Sequence, residues 1–160
     1  MTAAERLVAV LRRRGWTLGV AESLTGGAVT SEIVSVPGAS VVLRGAVVAY
    51  ATPLKHTLLG VDGALLAAHG AVHPEVASQM AVGVRSAVAA DGRAADVGIA
   101  TTGIAGPDSP DGQPVGTVHV AVATPGGVRV GSYVFTGSRG EIRTQARDAA
   151  IGLAIEAVRE

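Results

Sequence analysis

The sequence predicts an α/β protein, a three-layer α/β/α sandwich around a mixed, mostly parallel sheet of about five strands with one C-terminal antiparallel hairpin. Three observations carry this prediction. Short apolar runs alternate with longer segments of helical period, and helical crossovers require parallel strand neighbours. Two Val-rich runs near the C-terminus are separated by Pro125-Gly126-Gly127, a hairpin signal. The 160 residues suit a single domain, 1–160, and with 48% hydrophobic but 2% aromatic residues its core must be built from Val, Ala, Leu and Ile.

The elements follow in order. Thr2 and Glu5 have capping-box spacing, Leu7, Val10 and Leu11 share a helical face, and Arg12 to Arg14 before Gly15 suit a helix end. Residues 16–22 read as a buried strand that runs into Ser23-Leu24-Thr25-Gly26-Gly27 and a helix over about 25–36, closed by Pro37-Gly38. Residues 41–50 are β-rich and end at Tyr50. Pro53 to Leu59 form a short helix, and Asp62 caps another through Ala68. His73-Pro74-Glu75 opens a longer helix, with Val76, Met80 and Val84 inward and Asp91-Gly92 at its end. A strand over 96–102 leads into Gly103-Ile104-Ala105-Gly106-Pro107 and the turn-forming stretch 108–114. Strands over 116–124 and 128–135 follow, then a helix from about Arg139 to the end. The 22 glycines imply several tight turns or close backbone approaches.

Composition excludes several functions. There are no cysteines, so disulfides, thiolate metal sites and cysteine nucleophiles are ruled out. Basic and acidic residues balance at 13 each, without the basic stripe of a nucleic-acid binder. Leu7 to Leu11 followed by arginines is the wrong order for a secretory signal, and no apolar run reaches spanning length, so a cytoplasmic protein without nucleic-acid or membrane partners is expected.

In open α/β sheets ligands bind at the carboxyl ends of strands. Three such ends are polar or glycine-rich: 22–27, 50–55 and 101–107. Neighbouring strands would bring them to one cleft. Ser23, at a strand-to-helix junction, fits either a helix N-cap or a nucleophile whose oxyanion is met by nearby N–H groups. It lacks the G-x-S-x-G setting of a nucleophile elbow. Lys55 is the only lysine in a chain that otherwise uses arginine. It reads as a solvated surface residue or as an amine that a desolvating cleft turns into a base. Tyr50 reads as a half-buried aromatic or as a proton relay between Ser23 and Lys55. The histidines favour neither a Ser-His-Asp triad nor a metal: His56 should be exposed, Gly70 breaks the helix that would align His69 with His73, and His119 is mid-strand. A phosphate could be held at Gly26-Gly27, by the 103–106 loop, or by Arg139 or Arg143.

Six segments together resemble the CinA C-terminal domain family, the nicotinamide-nucleotide amidohydrolases. They are Ala21-Glu22-Ser23-Leu24-Thr25-Gly26-Gly27; Tyr50 and Lys55 with Leu59-Gly60-Val61; His69-Gly70-Ala71-Val72; Thr102-Gly103-Ile104-Ala105-Gly106-Pro107; Pro114-Val115-Gly116-Thr117-Val118; and Phe135-Thr136-Gly137-Ser138-Arg139. The resemblance implies hydrolysis of the carboxamide of nicotinamide mononucleotide to nicotinic acid mononucleotide and ammonia, in pyridine nucleotide salvage, without metal or cofactor. It implies Ser23 as nucleophile, Tyr50 and Lys55 as its activating group, and Thr25, Gly26, Gly27, Thr102, Gly103, Gly106 and Arg139 in substrate binding. Two positions depart from the family pattern: Leu24 stands where cysteine is frequent, and Ser138 where aspartate precedes the arginine. Relatives also occur fused to a longer N-terminal domain, and the chain reads as a short form. The Ala-rich helices point to a homodimer. The competing reading is a non-enzymatic nucleotide- or partner-binding module linked to competence or the DNA damage response.

Overall fold

A computed structural model describes residues 1–159. The elements run α1 (Ala3–Arg14), β1 (Leu18–Glu22), α2 (Ala28–Val34), a 3-10 turn at Ala39–Val41, β2 (Leu43–Val48), α3 (Thr52–Thr57), α4 (Gly63–His69), α5 (Pro74–Ala87), β3 (Val97–Gly103), β4 (Thr117–Thr124), β5 (Gly127–Val134) and α6 (Arg139–Val158). The strands form one sheet in the order β2-β1-β3-β4-β5. β1 pairs parallel with both β2 and β3.

The sheet is less parallel than the sequence suggested. β4 runs antiparallel to β3 as well as to β5, so two of the four pairings are antiparallel. The reason is local: residues 104–116 carry no helix, so the chain turns back beside β3 instead of crossing over.

The two faces of the sheet are packed differently. On one, Val20, Ile99, Val118, Val120 and Val122 meet Leu7 and Leu11 of α1, Val29 and Ile33 of α2, and Ile142, Ile151 and Ile155 of α6. On the other, Ala21, Ala100, Ala121 and Ala123 meet Val76, Ala77, Met80 and Val84 of α5. The small residues there let α5 lie against the strand backbone. A Cβ at Gly98 would sit 2.0 Å from the Ala81 carbonyl oxygen, and one at Gly83 would sit 1.7 Å from that of Leu59.

The helix ends follow the sequence signals. The Thr2–Glu5 capping box forms, and Gly15 closes α1 at φ 66°. Ser138 and Glu141 form a second capping box at the start of α6, so serine serves as N-cap where the family often has aspartate. Leu24 is buried in the core and also borders the cleft at the strand ends. The helix expected over 25–36 is shorter, because Ser23 to Gly27 are spent on a turn with Gly26 and Gly27 at positive φ.

Candidate active site

β1 lies between β2 and β3, so the three polar strand ends do meet. They line a cavity of about 470 Å³ together with Ala71 and Val72 and with Asp108 and Asp111 from the loop after β3.

On its floor, Lys55 Nζ donates to Ser23 Oγ at 2.9 Å. The same ammonium donates to the carbonyls of Ala49, at 2.7 Å, and of Tyr50, at 3.3 Å. Lys55 is only 1% exposed and Ser23 is buried beside it. Burial disfavours the charged form and brings the Lys55 ammonium down from the ordinary lysine value to about 8. The surface reading of this lysine is thereby excluded. When the ammonium gives up a proton, two remain for the Ala49 and Tyr50 carbonyls, and the lone pair faces Ser23 Oγ.

Tyr50 is placed differently from the expectation. Its side chain is 62% exposed, and its hydroxyl accepts from Arg139 Nη2 at 3.3 Å. Its contact with Lys55 is through the backbone carbonyl. The Lys55–Ser23 contact is direct, so the phenol does not lie between them. Arg139 also donates through Nη1 to the Gly106 carbonyl. Those two bonds leave three of the five guanidinium donors for the cleft.

Thr102, Gly103 and Gly106 line the cleft. The Thr102 hydroxyl is already committed, donating to the Ala71 carbonyl at 2.8 Å. Thr25, Gly26 and Gly27 do not line it. Thr25 is fully buried, its hydroxyl sharing a 2.8 Å hydrogen bond with that of Thr101. The N-terminus of α2, proposed from sequence to hold an anion, is filled by the chain's own carboxylate. Glu22, 0% exposed, accepts from the Val29 and Thr30 N–H groups at 3.0 Å each and from the Thr30 hydroxyl at 2.6 Å. A phosphate is excluded there by occupancy and by charge.

Sequence reasoning missed three residues that hold the Ser23 loop. Glu22 caps α2 from the end of β1, Thr101 Oγ1 accepts from the Ser23 N–H at 3.3 Å, and Arg143 donates to the Leu24 and Thr25 carbonyls. A carboxylate ending an otherwise apolar strand was the available signal for Glu22. Nothing local singled out Thr101, and Arg143 stood out only as a candidate for holding phosphate, not as a support of the turn.

The histidines stand apart from this pair. His56 is exposed, with Nδ1 on the Val61 carbonyl at 2.7 Å. The rings of His69 and His73 lie 4.6 Å apart, and His73 Nδ1 caps α5 by accepting from Glu75 N–H. His119 bonds Ser132, and burial, with a smaller contribution from His73, holds its pKa below the usual histidine value. Among the described residues no three His, Cys, Asp or Glu side chains come together as a metal would require.

A mixed α/β sheet with a buried Ser–Lys pair at the carboxyl end of its central parallel strand defines the class of protein. The chain belongs to the CinA family: the model of the CinA C-terminal domain matches residues 1–158. It is 46% identical to a CinA-like protein of Frankia casuarinae over 92% of this chain and 33% of that protein. It is 44% identical to a putative competence-damage inducible protein of Caldanaerobacter subterraneus over 89% of this chain and 34% of that protein. The chain thus spans about a third of the length of these curated relatives. The crystal structure of a CinA superfamily protein from Klebsiella pneumoniae superposes with a TM-score of 0.91 at 30% identity, covering 98% of this chain and 96% of that one.

Proposed function

We propose that this chain is an amidohydrolase that converts nicotinamide mononucleotide and water to nicotinic acid mononucleotide and ammonia, a pyridine nucleotide salvage reaction. The observation that carries the reading is the buried 2.9 Å contact between Lys55 Nζ and Ser23 Oγ. A lysine brought to about 8 by burial is deprotonated often enough near neutral pH to act as a base. The choice of substrate rests on the family resemblance.

Ser23 Oγ attacks the carboxamide carbon, made electrophilic by the cationic pyridinium ring, as its proton passes to Lys55 Nζ. The C–N bond of the tetrahedral intermediate breaks as Lys55 returns that proton to nitrogen, releasing ammonia and leaving an ester on Ser23. Water, deprotonated by the same amine, hydrolyses the ester to the acid. The Ser23 N–H is held by Thr101 and the Ile104 N–H by the Thr117 carbonyl. The oxyanion is therefore assigned to N–H groups of other residues that line the cleft, Leu24, Ala105 and Gly106. Arg139, at the cleft wall, takes the phosphate in place of the occupied α2 terminus, with Thr102, Gly103 and Gly106 shaping the pocket.

Ammonia release from nicotinamide mononucleotide in the presence of a chelator tests the proposal. Wild type should turn over, and Ser23→Ala should lose at least about 10³-fold in rate while still binding the nucleotide. A folded wild type that releases no ammonia, or a Ser23→Ala protein with near wild-type rate, would defeat it.

A further inference from the structure

Ser23 begins a β-turn. The Gly26 N–H donates to the Ser23 carbonyl at 3.1 Å, which makes Leu24 and Thr25 the central residues. The peptide joining two central residues can face either side of a turn, and the two orientations distinguish turn types. Here a side chain from α6 fixes the choice. Arg143 Nε donates to the Leu24 carbonyl, the oxygen of that central peptide, at 2.8 Å, and Nη2 donates to the Thr25 carbonyl at 3.2 Å. Because the peptide is planar and trans, the Thr25 N–H points away from the guanidinium. Gly26, which closes the turn, stands at φ 57°, a backbone conformation that favours glycine. Arg143 makes no ion pair among the described residues, unlike Arg147 one turn later, which is bridged to Glu32 and Asp148. Its two hydrogen bonds both go to the turn.

We propose that Arg143 is a positioning residue: it locks the central peptide of the turn that starts at Ser23, and thereby holds Ser23 Oγ on Lys55 Nζ. The role rests on the reading of Ser23 as nucleophile. A lysine at this position offers one compact ammonium in place of a planar fork and cannot hold both carbonyls in the same geometry. Displacing a reacting atom by about an ångström costs on the order of 100-fold in rate.

The test is the rate of covalent labelling of Ser23 by a fluorophosphonate, followed across pH in wild type, Arg143→Met, Arg143→Lys and, as a control on the same helix, Arg147→Met. Labelling of Ser23 is independent of which amide is the substrate. Arg143→Met should label about 10- to 100-fold more slowly, with the midpoint of its pH profile unmoved, and added methylguanidinium should restore part of the rate. Arg143→Lys should be intermediate, and carries the test if the methionine variant does not fold. Arg147→Met should match wild type. A folded Arg143→Met protein labelled at the wild-type rate overturns the role of Arg143 alone, as does an equal loss in Arg147→Met. A wild type that takes no label overturns the nucleophile reading and this role with it.

Discussion

The turn after β1 and the loop after β3 face each other across the cleft and are held in opposite ways. Ser23 to Thr25 are buried, and the side chains that anchor their backbone and the Ser23 hydroxyl come from far along the chain: Thr101 on the Ser23 N–H, Lys55 on its hydroxyl, Arg143 on the next two carbonyls. Residues 108–112 are largely exposed, and most of their bonds are local. Asp111 accepts from Gln113 and Ser109, and Ser109 donates to the Gln113 carbonyl. Just beyond them, Gln113 Nε2 reaches out of the loop to the Val72 carbonyl at 3.0 Å. On the proposed function, the group that must meet a substrate atom within a fraction of an ångström is built into the core, and the wall that would admit the substrate is built at the surface.

Substitutions on the two sides should separate cleanly. The largest effect is expected at Lys55. Lys55→Met should lower turnover by about 10³-fold, and the wild-type rate should rise with pH through about 8 as the ammonium loses its proton. The same shift makes a prediction about stability. The folded protein releases the Lys55 proton near 8 and the unfolded chain near 10.5, so between those values the unfolded state binds more protons and native stability rises with pH. Denaturant melts should show wild type gaining up to about 3 kcal/mol relative to Lys55→Met from pH 8 to 10.5, and no further change outside that window. A flat difference would mean that the amine is solvated.

The next effect belongs to Glu22. Glu22→Ala leaves two helix N–H groups and a hydroxyl without their acceptor and should destabilise by about 3 kcal/mol. In a chain of this size that is a fall in Tm of roughly 10 °C. Glu22→Gln, which keeps one acceptor oxygen, should lose about half as much. A wild-type Tm in Glu22→Ala would show that water replaces the carboxylate and that the turn is less built in than its bonds indicate.

Thr101→Val removes the acceptor of the Ser23 N–H and the partner of the Thr25 hydroxyl. It should cost about 1–2 kcal/mol and lower kcat more than it raises KM. The smallest effect is expected across the cleft. Asp111→Ala removes only exposed, local bonds, so Tm should move by about 1 °C or less while KM shifts a few-fold. A collapse of kcat in Asp111→Ala with KM unchanged would break the contrast between the two sides.

Much of this was readable from the chain. The Thr2–Glu5 capping box, the hairpin and the strand–turn–helix run around Ser23 are local signals; the first two are found where their residues place them, and the third with a longer turn and a shorter helix. Lys55 stood out as the single lysine, and Ser23, Lys55 and the 103–106 loop were brought together by the rule that strand ends carry ligands. Two readings failed for one reason. Gly26-Gly27 before a helix looks like an anion site, and Tyr50 five residues before Lys55 looks like its partner, because spacing says which groups are near and not which bonds are already taken. Glu22 fills the first, and Arg139 engages the second.

By itself the sequence determined the α/β class, the positions of most elements and the three strand ends that meet, because these depend on periodicity, capping and turn chemistry within a few residues. Tertiary structure alone decided the antiparallel course of β4, the small-residue face that seats α5, and the choice of partners around Ser23. Those depend on contacts between residues far apart in the chain. Ser23 and Thr101, or Leu24 and Arg143, acquire their meaning only when the sheet and α6 have closed over them, because in the core each polar group must find a partner or carry the cost of going without one.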